Sequence, residues 1–272
     1  MGKIEGFRIN NYGSLKNIVM GKTLSNQHSD PLGNFIAIIG PSGNGKSTLA
    51  DAFGFISDCL EKDVESACDA NNRGGFDQLV SQAAENEIRF ELYYRETSNT
   101  RPITYELTIG LDADHRPYVR EERLRQRVTK YGRPLSFLHL IDGRGFVFEG
   151  SEGGQDDQGE VIGEKVDVDL GDNRKLGIVT YGAMKQYTRI ENFLKFLRSW
   201  YLCYFTPDSS RQIPNAAPTP YLNRTGSNLN NVAQYMYREN PAAFQKILSD
   251  IQTKIPNISR IEPEKMPNGQ MV

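Results

Sequence analysis

Eight consecutive residues, Gly40-Pro41-Ser42-Gly43-Asn44-Gly45-Lys46-Ser47, match the pattern G-x-x-x-x-G-K-[ST]. These residue types suit one task, the cradling of a phosphate chain. The glycines let backbone N–H groups turn inward around a β-phosphate. Lys46 offers a flexible point charge to the β- and γ-phosphates, and the Ser47 hydroxyl is a ligand for Mg²⁺. A helix beginning near Ser47 aims the positive end of its dipole at the same place. The bare pattern arises by chance in about one chain in a hundred of this length, so the surroundings decide. Upstream, residues 35–39 are an unbroken apolar run, the pattern of a buried strand. Downstream, Leu49, Ala52, Phe53, Ile56 and Leu60 recur at helical spacing. Strand, loop and helix in that order predict a site for a nucleoside triphosphate, ATP with Mg²⁺. Gly40, Ser42, Gly43, Asn44, Gly45, Lys46, Ser47 and Thr48 are its expected binding residues.

The elements that must position this loop are legible on both sides of it. Residues 4–9 alternate as a half-buried strand does, 10–14 read as a turn, and 15–20 return as a hairpin partner. The middle of the chain is strand-rich. Ile88, Phe90 and Leu92 share one face, as do Ile103, Tyr105, Leu107 and Ile109. Residues 116–127 suggest an exposed strand, 149–160 a mobile polar loop, and 176–181 a further strand. The last third is helical. Ile190, Phe193, Leu194, Leu197, Trp200 and Tyr204 form one stripe. Residues 206–221, with four prolines, form an irregular crossing segment. Leu229, Val232, Ala233 and Met236 begin another helix, with Ser227 as its expected cap. Asn240-Pro241 starts the next, Asn as cap and Pro in the first turn, with Phe244, Ile247, Leu248 and Ile251 buried. Asn268-Gly269 is a hairpin-type turn, with 270–272 opening a strand.

Composition bounds the rest. The 272 residues carry 32 basic and 34 acidic side chains, so bulk charge argues neither for nor against nucleic acid. With 38% hydrophobic and 10% aromatic residues, the chain can build a core. No apolar run is long enough to span a bilayer, and residues 1–8 lack the apolar core of a signal peptide. Cys59, Cys68 and Cys203 lack metal-type spacing and leave one unpaired, which reads as reduced thiols in a cytoplasmic protein.

The flanks carry a family resemblance. The stretch Ile4-Glu5-Gly6-Phe7-Arg8-Ile9-Asn10-Asn11-Tyr12-Gly13-Ser14-Leu15 resembles the opening of RecF-like and SMC-like ABC-type ATPases. The likeness implies that this turn lies by the adenine and ribose, which places Asn11 and Ser14 there. Gly13 stands where a basic residue is common. Asn72-Arg73-Gly74-Gly75 resembles the family's Arg-containing loop, which would bring Arg73 to the nucleotide; an ordinary surface turn is the plain alternative. Ala183-Met184-Lys185-Gln186 resembles the Q-loop, making Gln186 a Mg²⁺ ligand through its side-chain oxygen. Residues 193–211, then Gly226-Ser227-Asn228-Leu229, Asn240-Pro241 and Ile255-Pro256, resemble the helices that follow. The implied fold is α/β: a P-loop NTPase of ABC-head type, its mixed sheet carrying an antiparallel β-subdomain beside a helical subdomain. On this reading residues 1–182 form the ATP-binding core lobe and 183–272 the Q-loop and helical subdomain.

An ABC-type ATPase also needs a signature Ser-Gly segment, a strand ending in Asp-Glu, and a switch His. Residues 137–142 have the apolar-then-Asp shape, but Gly143 follows Asp142, and the segment precedes the Q-loop position. It reads as a strand ending in a turn. His28, His115 and His139 have no catalytic setting. The resemblance places the missing motifs beyond residue 272, so the chain is expected to be the N-terminal portion of a longer ATPase, or one product of a split or truncated gene. It should then hydrolyse ATP only within a larger or dimeric assembly.

The implied activity is ATP-driven homodimerisation coupled to DNA repair or anti-phage (antiviral) defence, beside a nuclease or Toprim partner. Arg116, Arg120, Arg123, Arg125, Arg127, Lys130 and Arg133 form a basic run that would touch DNA, or else a solvated strand face, given Glu121 and Glu122 within it. Two other classes stay open. Gly-Pro-Ser-Gly before Gly-Lys-Ser also resembles nucleoside monophosphate kinases, and a non-hydrolysing nucleotide-binding module fits as well.

Overall fold

Alternation in the first two-thirds of the chain builds one antiparallel sheet. A computed structural model describes residues 2–81, 86–127, 133–155, 161–205, 208, 217–255, 257, 258, 262 and 264, apart from the side chains of 150–155 and 161–163. The strands are β1 (Lys3–Tyr12), β2 (Leu15–Gly21), β3 (Ile88–Arg95), β4 (Ile103–Leu111), β5 (Pro117–Gln126), β6 (Leu135–Ile141), β7 (Arg144–Gln155) and β8 (Val161–Asp169). Their order is β2-β1-β3-β4-β5-β6-β7-β8, and every described pairing is antiparallel. The expected mixed sheet is therefore corrected to an antiparallel one. A parallel strand would have to pair through residues 35–39, and these pair with no strand among the described residues.

Register gives the sheet two unlike faces. Phe7, Leu92, Tyr105, Leu124, Leu138 and Val147 stand side by side across six strands, and all are buried. Arg8, Glu91, Glu106, Arg123 and His139 form the neighbouring row on the opposite, polar face. This is the two-residue period of a sheet covered on one side. The cover consists of α1 (Lys46–Glu61), α2 (Val64–Asp69), α3 (Phe76–Leu79), α4 (Gly177–Tyr181) and α5 (Thr188–Arg198). Phe55 of α1 stacks on Phe90 at 5.9 Å, and Phe193 of α5 meets Tyr105 at 5.3 Å.

Several expected elements change. Within the expected strand 176–181, Gly177–Tyr181 are helical, because Gly177 and Ile178 donate their N–H groups to the Glu122 carboxylate. Residues 149–155 belong to β7, since β8 supplies pairing partners; 156–160 lie outside the described residues. α5 ends at Arg198, short of Tyr204. The chain divides into compact units Met1–Trp200 and Tyr201–Val272, not at 182/183, because α5 belongs to the sheet's cover.

The second unit holds α6 (Leu229–Glu239) and α7 (Pro241–Lys254), with Tyr237 edge-on to Phe244 at 5.6 Å. Asn240 caps α7 through Ala243 N–H as expected, whereas Asn228, not Ser227, precedes α6. Most of 206–216 and all of 265–272, including the Asn268-Gly269 turn, lie outside the described residues. No described helix is long and apolar enough to cross a membrane.

Glu122 is a buried acid on the apolar face. It lies between Leu107 and Leu140 in register and is fully buried. Tyr105 Oη donates to it at 3.0 Å and Ile178 N–H at 3.2 Å. Gly177 is needed for this approach, since a Cβ there would lie 2.4 Å from Leu140 Cδ1. Desolvation pushes the carboxyl from 4.5 up to about 7, against the pull of its three donors. Between those two values the folded chain keeps a proton that the unfolded chain has released, so stability falls as pH rises through that window. Glu122→Gln removes this component. Urea denaturation of both proteins at pH about 4 and about 8 should show their stability difference changing by up to about 3 kcal/mol. A difference independent of pH would refute the assignment.

Candidate functional site

The glycine-rich loop, residues 40–47, runs into the N-terminus of α1. Gly43 (φ 84°) and Gly45 (φ 78°) are left-handed, which turns the backbone back on itself as the pattern requires. Around Gly40 and Gly43 the space that a Cβ would enter is open for 4 Å. α1 starts after Gly45 with no side-chain cap and no acidic residue in its first turn. Its first N–H groups therefore have no capping side chain, and the positive end of a 16-residue helix faces the loop. Lys46 curls back so that Nζ donates to Gly40 O at 2.7 Å and Pro41 O at 2.6 Å. An ammonium held inside the loop by carbonyl oxygens, beside uncapped helical N–H groups, forms a site whose donors suit an anion.

The β1–β2 turn stands against this loop. Asn11 (φ 63°) and Gly13 (φ 55°) make the turn, and Ser14 Oγ donates to Thr48 Oγ1 at 3.2 Å. A Cβ on Gly45 would sit 2.9 Å from Ser14 Oγ. Ser14 thus reaches the start of α1 beside the loop. Asn11 is buried and donates its side-chain amide to Glu87 O at 2.8 Å. From behind, Gly13 N–H bonds Leu79 O at 2.5 Å and Ser81 N–H bonds Asn11 O at 3.3 Å.

Arg73 is not a surface turn residue. It is buried, and Nε and Nη2 grip Asp51 at 2.9 Å each while Nη1 reaches Asp58 Oδ2 at 2.5 Å and Ala67 O at 2.9 Å. The guanidinium also lies over Phe55, 5.4 Å from the ring centre. Tyr12 Oη donates to Asp51 Oδ2 at 2.6 Å. Burial, reinforced by Asp51, raises the phenol's pKa and keeps Tyr12 protonated as a donor. Reading residues singly gave no sign of Tyr12, Asp51 or Asp58, although acids at i and i+7 on α1 are the available signal.

The remaining candidates lie elsewhere. Gln186 is exposed in the turn between α4 and α5, and among the described residues no hydrogen bond joins it to the loop. Asp142 (φ 52°) closes the β6–β7 turn as expected. β6 lies four strands from β1, roughly 19 Å at the usual spacing, so Asp142 is remote from the loop. His139 Nε2 pairs with Glu121 at 2.9 Å on the polar face. Of the basic run, Arg116 pairs with Glu65, Arg120 with Glu87 and Arg125 with Glu106. Their charge is largely answered within the chain; Lys130 lies outside the described residues. Cys59 and Cys68 are buried thiols and Cys203 an exposed one. No group of three or more His, Cys, Asp or Glu among the described residues could hold a metal ion.

No family model matches the chain, and no curated protein matches it. One matching solved structure is of an SMC ATPase, described in terms of ATP-driven dimerisation and DNA-stimulated activation. It is 18% identical, with a TM-score of 0.29 over 48% of this chain and 71% of its own. A likeness at that level carries no functional argument, and the site must be judged on its own chemistry.

The left-handed glycines supply a direct check. Gly43→Ala strains the backbone in open space and should cost about 1 kcal/mol of stability. Gly45→Ala adds a clash with Ser14 and should cost about 1–3 kcal/mol. Thermal unfolding of the two variants would show whether Gly45 is the more sensitive.

Proposed function

We propose that the chain is the ATP-binding lobe of a RecF/SMC-like ABC-type ATPase head, acting with Mg²⁺. The observation that carries this reading is the loop itself: left-handed Gly43 and Gly45, an uncapped α1, and Lys46 Nζ held by Gly40 O and Pro41 O. In this role Lys46 exchanges two carbonyl partners for phosphate oxygens. The N–H groups of Gly43, Asn44, Gly45, Lys46, Ser47 and Thr48 receive the phosphate chain, with Gly40 and Ser42 shaping the entry. Ser47 and Gln186 are assigned to the metal, and Asn11 and Ser14 to the nucleoside side. The bound nucleotide supplies the phosphoanhydride bond that hydrolysis would break.

Support for a lobe completed by further structure comes from residues 35–39. Phe35 is 88% exposed and Ile39 92%, and the segment pairs with no described strand. Ile36 and Ile38 line a small apolar cavity with Phe7, Leu49 and Phe53. A run of β-branched and aromatic residues with one face half-covered and the other in water fits a strand whose neighbours lie on another lobe. In this reading that lobe brings the signature, the Asp-Glu strand and the switch His. ATP then bridges two heads, and dimerisation serves DNA repair or anti-phage defence with a nuclease or Toprim partner in the cytoplasm.

Lys46→Ala should abolish ATP binding in calorimetric titration while leaving the fold intact by circular dichroism, because the side chain points into the loop and not the core. Unchanged affinity would sink the nucleotide reading. The 272-residue chain alone should turn ATP over barely above background. Steady hydrolysis, lost in Asp142→Asn, would show that the β6–β7 turn had been misjudged.

A further inference from the structure

The Arg73 network does more than neutralise charge. Its two ends are the loop-bearing helix and the β1–β2 turn. Asp51 lies on α1 five residues after Lys46, and its Oδ2 accepts from both Tyr12 Oη and Arg73 Nε. Tyr12 ends β1 opposite Leu15, and the turn residues that follow it, Gly13 and Ser14, touch Thr48; a Cβ on Gly13 would lie 2.8 Å from Thr48 Cγ2. On the far side, Ser81 Oγ donates to Gly13 O, and Tyr12 bridges to Val80. Residues 73–81 therefore grip α1 at one end and the turn at the other. Four of the five N–H groups of Arg73 are used within the chain, so its guanidinium is not aimed at a ligand.

We propose that Tyr12, Asp51, Arg73 and Ser81 are positioning residues that fix the turn at 11–14 as a wall of the site, so that they set affinity for the part of a ligand that extends beyond its phosphates. This rests on the ATP-binding reading above. The phosphate chain itself is served by backbone N–H groups of the loop and by α1, which the turn touches only at its edge. The nucleoside has no such cradle in the loop and depends on the neighbouring wall. Arg73, placed at the nucleotide by family resemblance, acts here through Asp51 and Tyr12 instead.

The test compares ATP with inorganic tripolyphosphate, by calorimetry on the full chain. Tyr12→Phe keeps the ring and removes only the hydroxyl; Ser81→Ala removes the second brace and guards against a fold defect peculiar to Tyr12. Each should weaken ATP about fivefold, the worth of one hydrogen bond, and leave tripolyphosphate within about twofold. Arg73→Lys, which loses the two-pronged grip on Asp51, should behave alike, and combined with Tyr12→Phe should add little, because both act through one carboxylate. Equal losses for both ligands would mean a general structural role and overturn the proposal, as would no loss for either. An unsubstituted chain that binds tripolyphosphate but not ATP would also overturn it. Binding of neither ligand would instead bring down the nucleotide reading on which it stands.

Discussion

A buried guanidinium organises the loop end of this molecule. Arg73 keeps only 3% of its side chain in solvent, and an uncompensated charge there would cost several kcal/mol. It is compensated by Asp51 and Asp58, which lie two helical turns apart on one face of α1. Satisfying that charge fixes the rotation of α1 and presents Asp51 to Tyr12. The hairpin turn then has one place to sit, with Ser14 over Gly45. The glycine-rich loop is thus framed by a helix and a turn that share a single carboxylate. Few of these contacts are local in sequence: Tyr12, Asp51 and Arg73 come from three separate elements.

A second polar group buried in the core performs a similar task farther along the sheet. Glu122 occupies an apolar-face position and meets Gly177 and Ile178 at the start of α4. Without it those N–H groups would be buried with no partner, a cost comparable to the penalty for burying the carboxyl. The pair locates α4, and through α4 the turn that carries Gln186. The helical cover is therefore pinned at two places by a buried ionisable group, Arg73 at α1 and Glu122 at α4.

The polar face follows a different logic. Cross-strand pairs such as Arg125 with Glu106 are satisfied within the sheet. A run of arginines along β5 looks basic in sequence, yet Arg116, Arg120 and Arg125 pair with Glu65, Glu87 and Glu106. The apolar run at 35–39 shows the opposite case: its composition asks for burial, and the described residues provide cover for only one side of it.

The sequence by itself determined the periodic elements. The alternation of β1, β3 and β4, the amphipathic α1, the Asn240-Pro241 helix start and the glycine-rich loop are short-range patterns, set by side-chain period and by the φ angles that glycine permits. Tertiary structure alone decided where the charges went. Residues 176–181 are apolar and short enough to read as strand or helix, and a carboxylate 55 residues earlier chose helix. Polar residues at 149–155 read as loop until β8 offered them hydrogen bonds. Arg73 read as a ligand-facing or surface residue because nothing in a linear chain shows that Asp51 and Asp58 will meet it. Propensity is a property of neighbours in sequence, whereas the partner of a buried charge is selected only when the fold removes the water.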